Sequence, residues 1–165
     1  ATSSTIINGW VHTGDIGEFD EEKYLKITDR KKDIIVNAGG DNISPSRVEE
    51  KLNIEPEIAQ SMLYGDFKNF LVAIIVPDKD QAIIWAKKNN KNTDIKSLIK
   101  DEDFIKMMKE ITSKVNSRLS VIEQVRKFIL VDEEFTIEND MMTPTMKVKR
   151  FKVKEIFGDQ LEDLF

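Results

Sequence analysis

The sequence contains no cysteine and a single histidine, His12. Disulfide bonds and thiolate-bound metals are therefore excluded, and one imidazole leaves little room for a zinc site, so we expect no metal centre. The longest apolar runs, such as residues 70–77, are much shorter than the roughly 20 residues that a membrane-spanning helix needs. No signal-peptide pattern opens the chain. These features predict a cytoplasmic protein.

An excess of basic charge is also lacking. The net charge is −5, from 30 acidic and 25 basic residues, which argues against coating of nucleic acid by bulk electrostatics. Phe151 lies within the basic segment 147–154, a combination that would suit a nucleic-acid site, but the tail beyond Lys154 is acidic. We therefore expect no nucleic-acid partner.

The hydrophobic pattern predicts a small mixed fold. Apolar residues make up 40% of the 165 residues, which is enough for one compact domain plus a short attached piece. Residues 16–28 are typical of a β-hairpin, and Ile34–Val36 is a β-branched run typical of a buried strand. Further strands are predicted at residues 58–65, 70–76 and 125–131.

Helices are predicted between and after these strands. Ser44 followed by Pro45 suits an N-cap and first helical position, whereas Ser46 with Glu49 would form a capping box instead. Either helix ends near Asn53. Other helices are predicted at residues 81–89, 103–120 and 153–165, and residues 136–150 are irregular. The fold class is α+β, with a mixed sheet of about three strands flanked by helices and preceded by the hairpin.

Three motifs could carry chemistry. The first, Gly9–Asp15, places Asp15 after a glycine turn, where its carboxylate could accept hydrogen bonds from the vicinal hydroxyls of a ribose. An ordinary turn is the alternative. The second, Asp29–Pro45, joins a charge cluster to the pair Gly39 and Gly40. The pair suits close approach of the backbone to a ligand, but also any tight turn.

The third motif is Thr143–Arg150, which contains Lys147. An ammonium group on an ordered loop can contact a phosphate and a carboxylate together, and can offset negative charge that develops in a transition state. A basic loop in water is the alternative.

Taken together and in this order, the three motifs resemble the closing sequence of adenylate-forming enzymes, most closely the long-chain fatty acid–CoA ligase branch. The branch assignment depends on Asp29–Lys32 and on Ile137–Asn139, which leads into the third motif. The resemblance implies that residues 32–165 form the carboxy-terminal lid domain of an AMP-forming acyl-CoA synthetase. It implies that residues 1–31 are a strip of the large AMP-binding domain, so we expect a fragment that is inactive alone.

The resemblance also assigns roles to single residues. Asp15 would bind the ribose hydroxyls of ATP or AMP, and Arg30 would contact the same ribose. Lys32 would be the hinge about which the lid swings. Gly39 and Gly40 would line the channel of CoA, and Lys147 would be the catalytic lysine of adenylation.

The implied reaction has two steps. A fatty acid attacks ATP to give an acyl-adenylate and diphosphate, and the thiol of CoA then displaces AMP. Mg²⁺ would accompany ATP, since phosphate oxygens favour it. ATP, CoA and Mg²⁺ are expected in the full-length enzyme, through the amino-terminal domain, with none bound to the fragment. Peripheral membrane association of that enzyme stays open.

Two positions depart from the family pattern. Many relatives have glycine where this chain has Met146, and long-chain relatives often have glycine where it has Asp140. Neither change removes a charge that the chemistry needs. The acyl substrate is left open by the residues, because a medium-chain or aryl acid is an alternative. The other alternative is a free-standing module that binds a nucleotide or a partner protein.

Overall fold

The computed structural model describes residues 5–165, so the first four residues of the predicted strip lie outside the described part. The strip forms two antiparallel strand pairs, and the second pair is the predicted hairpin. The pairs are β1 (Ile6–Ile7) with β2 (Trp10–Val11), and β3 (Asp15–Phe19) with β4 (Leu25–Arg30).

The strip leaves most of its large apolar side chains in solvent. Trp10 is 76% exposed, Phe19 is 73% exposed and Tyr24 is 69% exposed. Leu25 and Ile27 on β4 are also exposed. This many exposed large apolar side chains in a short segment is typical of a surface that packs against other protein. The strip therefore has little core of its own.

A short strand pair and a capped helix follow the strip. The pair is β5 (Ile35–Val36) with β6 (Asn42–Ile43), and the helix is α1 (Pro45–Asn53). Ser44 is the N-cap, since its Oγ accepts a hydrogen bond of 3.3 Å from the backbone N–H of Arg47. The predicted cap at Ser44 is therefore confirmed. The alternative capping box at Ser46 is wrong, because Glu49 is engaged elsewhere.

The remaining elements form a sheet with helices on both faces. In chain order they are β7 (Ile58–Tyr64), β8 (Leu71–Pro77), α2 (Lys79–Lys88), α3 (Ile95–Leu98), α4 (Glu102–Asn116), a 3₁₀ turn (Val121–Glu123), β9 (Val125–Leu130) and α5 (Arg150–Glu162). Strand β8 is central, antiparallel to β7 and parallel to β9. This arrangement confirms the predicted α+β class and the mixed sheet of three strands.

Strand β8 contributes side chains to two separate hydrophobic cores. All seven of its residues are buried, and successive side chains of a strand point to opposite faces. Leu71, Ala73 and Ile75 pack with the core on the side of α1, α2 and α4. Val72 and Ile74 pack with the core beneath α5. A strand that is covered on both faces reads as a continuous apolar run, as this one does.

The end of α4 and the start of α5 are two of the helix boundaries that differ from prediction. Helix α4 ends at Asn116 rather than near residue 120, because the Asn116 side chain turns to strand β9. Its Oδ1 accepts from the Val125 N–H at 2.9 Å and its Nδ2 donates to the Val125 carbonyl at 2.8 Å. Helix α5 begins at Arg150, three residues earlier than predicted. Along the described chain, every helix is too short or too polar to cross a membrane.

Candidate functional site

A groove of about 540 Å³ separates the hairpin from the lid region. Asp15 and Arg30 line it from the hairpin, and Lys147 lines it from the loop that precedes α5. Lys147 follows the other two residues by more than 110 positions in the chain. The structure thus brings together the three residues that were predicted to act on the nucleotide and the reacting phosphate.

Asp15 and Arg30 form the hairpin side of this groove. They face each other across β3 and β4, and their side chains form an ion pair of 3.5 Å from Asp15 Oδ1 to Arg30 Nε. The side chains are 29% and 64% exposed, respectively, so the pair contributes at most about 1 kcal/mol. Such a weak pair leaves both groups accessible to a ligand. A carboxylate can accept from hydroxyls, and a guanidinium can donate to oxygens.

Asp29 fastens the hairpin to α1 and was not singled out by the sequence. It is buried, and its Oδ2 accepts a hydrogen bond of 2.7 Å from Ser44 Oγ. Its Oδ1 accepts from the Arg30 N–H at 2.8 Å and from Ser46 Oγ at 3.4 Å. Charge clusters are usually solvated, so the charged run of the second motif concealed one residue that is not.

Lys147 stands on a loop that is held through its backbone. The Lys147 N–H donates to Thr143 Oγ1 at 3.1 Å, and the Lys147 carbonyl accepts from the Thr143 N–H at 2.8 Å. A β-bridge joins Met142 to Val148 around this turn. Within residues 5–165 the Lys147 ammonium makes no hydrogen bond and no ion pair. The loop therefore presents a free positive charge on an ordered backbone.

The two positions that depart from the family pattern share one backbone conformation. Met146 has φ of 60° and Asp140 has φ of 63°, both in the left-handed region that favours glycine. This conformation costs a side chain about 1–2 kcal/mol, which explains glycine at these positions in relatives. Asp140 gains a partner in exchange, because the Lys149 ammonium bonds its carboxylate and holds its pKa below the usual range.

Lys32 lies in the turn between β4 and β5. The backbone N–H groups of Asp33 and Ile34 both bond the Arg30 carbonyl, at 2.9 and 3.2 Å. The Lys32 side chain is exposed and lines a second groove, which is adjacent to the first and shares Arg30 and Lys147 with it. This position between hairpin and lid suits a hinge, and the hinge role stays a prediction.

Gly39 and Gly40 lie outside both grooves, on an exposed turn. The turn is closed by Asn37, whose Oδ1 accepts from the Asp41 N–H and whose Nδ2 donates to Asp41 Oδ2, both at 2.9 Å. Gly40 has φ of +85°, which a residue with a Cβ adopts only with strain. The predicted CoA-facing turn is thus ordered, and the structure separates it from Lys147.

Glu49 and Arg150 form the strongest ionic contact of the groove wall. Arg150 donates two parallel hydrogen bonds to the Glu49 carboxylate, at 2.7 and 2.6 Å. The Leu63 N–H adds a third, at 2.6 Å. Burial raises the pKa of Glu49, and the bonds from Arg150 oppose that rise. No local pattern could reveal this pair, because its members are 101 residues apart.

The donor set of the groove fits a nucleotide better than a metal ion. Asp15 offers an acceptor for hydroxyls, while Arg30 and Lys147 offer positive charge for phosphate oxygens. In the part of the chain that the structure describes, no three His, Asp or Glu side chains cluster closely enough to hold a metal ion.

No protein-family model matches the sequence. Curated relatives do match. The long-chain-fatty-acid–CoA ligase FadD15 of Mycobacterium tuberculosis is 38% identical over 167 residues, which cover 100% of this chain and 28% of that protein. The human long-chain-fatty-acid–CoA ligase 1 is 37% identical, over 96% of this chain and 23% of that protein. The chain thus spans about a quarter of the length of these relatives and matches their carboxy-terminal part.

Solved structures agree on the fold. The adenylation domain of a carboxylate reductase from Mycobacterium chelonae superposes with a TM-score of 0.83 at 24% identity, over 99% of this chain and 24% of that chain. The corresponding domain from Segniliparus rugosus, solved with AMP and a co-purified carboxylic acid, gives 0.80 at 25% identity over the same shares. The fold is therefore that of the carboxy-terminal part of an adenylate-forming domain.

The site residues and the curated relatives narrow this class. The chain belongs to the AMP-forming acyl-CoA synthetases, and it resembles the carboxy-terminal part of their long-chain fatty acid–CoA ligases.

Proposed function

We propose that this chain supplies the lid of a long-chain fatty acid–CoA ligase, which converts ATP, a fatty acid and CoA to acyl-CoA, AMP and diphosphate. One observation carries the proposal. Lys147, whose ammonium has no partner within residues 5–165, lines the same groove as Asp15 and Arg30, although it lies more than 110 positions after them in the sequence. A groove of this composition can hold a ribose at one end and a reacting phosphate at the other.

In the first step Lys147 acts on the α-phosphate. The fatty acid carboxylate attacks phosphorus, the bond to diphosphate breaks, and negative charge grows on the oxygens of the phosphate. An ammonium that is held at the groove by an ordered backbone can stabilise this charge with little reorganisation. Asp15 accepts from the ribose hydroxyls and Arg30 contacts the same ribose, so that the nucleotide keeps its register while the bond breaks.

In the second step the CoA thiol attacks the acyl carbon of the adenylate and AMP leaves. The exposed turn of Gly39 and Gly40 faces the pantetheine in this step. That turn lies outside both grooves that Lys147 lines, so a change of orientation between the steps would let each face the reaction centre in turn. Rotation at Lys32 would exchange them, and movements of this kind are common in multistep enzymes.

The remaining groups come from the large amino-terminal domain. The exposed apolar side chains of the strip, such as Trp10 and Phe19, support residues 1–31 as an edge of that domain and residues 32–165 as the lid. The acyl pocket, the binding of Mg²⁺ with ATP and most contacts to CoA would lie there. The chain alone is then inactive, and the full-length enzyme is cytoplasmic.

The test is Lys147→Ala in the full-length protein that contains this chain. We expect carboxylate-dependent exchange of diphosphate into ATP to fall by about 10²–10³-fold, because one transition-state contact is lost. Thioester formation from supplied acyl-adenylate should persist. The matched control is Lys106→Ala, which removes an exposed lysine of α4 that lies in neither groove. Equal loss of both half-reactions in the Lys147 variant would overturn the proposal.

The hinge and the substrate are tested separately. Lys32→Pro restricts the turn after β4 and should slow thioester formation more than adenylation, provided that rotation follows the first step. If Lys32→Pro slowed both half-reactions by the same factor, the hinge role would be ruled out. The substrate is tested by exchange assays with long-chain, medium-chain and aryl acids. A preference for either of the latter would correct the fatty acid assignment while leaving the role of Lys147 intact.

A further inference from the structure

Arg150 closes the motif that contains Lys147, yet the proposed chemistry gives it no role. Its guanidinium is held by both oxygens of Glu49, and the two side chains are only 21% and 12% exposed, respectively. Its Nη1 also lies 3.5 Å from the Leu63 carbonyl. The contact therefore joins three elements at one point, because Glu49 is on α1, Leu63 is on β7 and Arg150 is the first residue of α5.

Such a pair is a poor device for stability alone. Two charges lose their hydration on burial, and a pair of this kind can often be replaced by apolar side chains without loss of stability. A two-pronged guanidinium–carboxylate contact does, however, fix direction, because both bonds must keep their geometry together. It therefore sets where α5 begins and how its first residue is turned.

The loop of Lys147 is connected directly to that point. Lys147 lies three residues before Arg150, and the Lys149 N–H donates to the Met141 carbonyl at 2.7 Å. The contacts of Lys147 itself are made by its backbone with Thr143. The side chain is exposed and makes no bond within residues 5–165. The position of Lys147 at the groove therefore depends on the backbone on either side, and Arg150 anchors the later side.

We propose that Glu49 and Arg150 are positioning residues that direct Lys147 into the nucleotide groove for the adenylation step. This inference rests on the proposed function, since it acts through Lys147. The Glu49 carboxylate accepts both hydrogen bonds and thereby fixes Arg150, which follows Lys147 in the chain. Neither needs to touch the nucleotide. Breaking the pair moves the lysine and slows adenylation, even where the fold survives.

The experiment uses the full-length protein and four variants: Glu49→Gln, Arg150→Lys, Lys147→Ala, and the double variant Glu49→Gln with Lys147→Ala. Glu49→Gln keeps the side-chain shape and removes its charge. Arg150→Lys keeps the charge and removes the paired donors. We expect Glu49→Gln and Arg150→Lys each to lower the kcat of diphosphate exchange by about 10-fold or more, with the KM for ATP nearly unchanged. The reason is that displacing a catalytic group by about 1 Å can lower the rate 10²-fold.

The double variant separates positioning from other roles. If Glu49 acts through Lys147, the double variant loses no more exchange activity than Lys147→Ala alone, since the group that it positions is already gone. Losses that multiply would mean that Glu49 and Arg150 act independently of Lys147, and would overturn the inference. An unchanged kcat in Glu49→Gln would do the same. Exchange that survives Lys147→Ala would instead refute the proposed function.

Two controls address folding. Glu55→Gln is matched to Glu49→Gln, because Glu55 is also a buried carboxylate in an ion pair, with Lys114 at 2.6 Å, and lies outside both grooves. It should lose stability without losing exchange activity. If Glu49→Gln fails to fold, Glu49→Met with Arg150→Met removes both charges together. This pair should fold but melt below the wild type, because the Leu63 N–H loses its acceptor. It should still lose exchange, and retained activity would overturn the inference.

Discussion

The side-chain amide of Gln60 forms two hydrogen bonds with the backbone of Phe135. Gln60 Nε2 donates to the Phe135 carbonyl at 2.9 Å, and Gln60 Oε1 accepts from the Phe135 N–H at 2.7 Å. Gln60 lies on β7, and buried Phe135 opens the segment that leads to Lys147. The amide takes the place of a neighbouring strand there. It satisfies backbone groups that would otherwise be left without partners on burial.

The variant Gln60→Glu tests whether the side-chain amide replaces a neighbouring strand in this way. At neutral pH a carboxylate oxygen would face the Phe135 carbonyl, where the amide now donates. An acceptor facing an acceptor loses the bond and leaves a polar group unsatisfied, so we expect the free energy of unfolding to fall by about 1–3 kcal/mol. Urea denaturation of the variant and the wild type measures the difference.

The same variant carries its own control in acid. Below the usual glutamate pKa of about 4.3, the carboxylic acid regains a hydrogen and can donate as the amide does. The difference in the free energy of unfolding between variant and wild type should therefore shrink as the pH falls toward about 4.3. A gap of constant size would show that the donor is not what Gln60 contributes.

Met146→Gly should stabilise the chain, which is unusual for a glycine substitution. It relieves the left-handed conformation before Lys147 but increases the freedom of the unfolded chain, which costs about 0.4–1 kcal/mol. The strain relieved is about 1–2 kcal/mol. We expect a net gain in the free energy of unfolding of about 0.5 kcal/mol, measured by urea denaturation.

Thr145→Gly is the matched control for that variant. Thr145 is also exposed, precedes Met146 directly, and is not left-handed. It gains similar freedom in the unfolded chain without relief of strain, and it also loses the 3.0 Å hydrogen bond between Thr145 Oγ1 and Thr143 Oγ1, so it should be destabilising. The difference between the two variants is therefore an upper bound on the strain at Met146, for which we expect about 1–2 kcal/mol. Equal effects would show that the conformation at Met146 costs nothing.

Tyr64 should titrate at unusually high pH. Burial and the hydrogen bond that it donates to Glu162 raise its pKa to about 12, against about 10 for an unperturbed tyrosine. Because the pKa is higher in the folded state, the stability that this proton brings is complete below pH about 10. It is lost as the pH rises through about 12. Stability should therefore decline across this interval.

Tyrosinate absorbance measures this pKa directly. The chain has two tyrosines, so a Tyr24→Phe background leaves Tyr64 as the one reporter. Adding Glu162→Gln to this background should move the transition to lower pH, because it removes a negative charge and a strong acceptor. A transition that stays in place would show that burial alone sets the pKa. Tyr64→Phe should abolish the signal.

Local signals in the sequence predicted most of the fold. The cap at Ser44 depends on residues that are adjacent in the sequence. Short apolar runs predict the strands at Ile58–Tyr64 and Leu71–Pro77. The end of α4 was predicted wrongly, because the Asn116 side chain bonds a strand that lies nine residues further along the chain. Periodicity cannot register such a contact, since it measures spacing along a single helix.

The sequence predicted the residues of the candidate site, but it did not predict the buried residues that hold them in place. Lys147 and Asp15 belong to short motifs that resemble a family, so they could be found without a structure. Asp29 and Glu49 look like ordinary surface charges in the sequence, and only the fold shows that each is buried against a specific partner. The burial of a charge depends on distant segments, which is why it escapes local reasoning.

The hydrogen bonds of Asp29 would slow the rotation of the lid that we propose. Asp29 precedes Lys32 in the chain, whereas its partners Ser44 and Ser46 follow it. A rotation at Lys32 that carries α1 away from the hairpin would therefore have to break these bonds first. Each 1.4 kcal/mol lost before new contacts form slows the movement about tenfold. In the proposed mechanism, these hydrogen bonds of Asp29 would thus determine how long the lid keeps this orientation before it rotates.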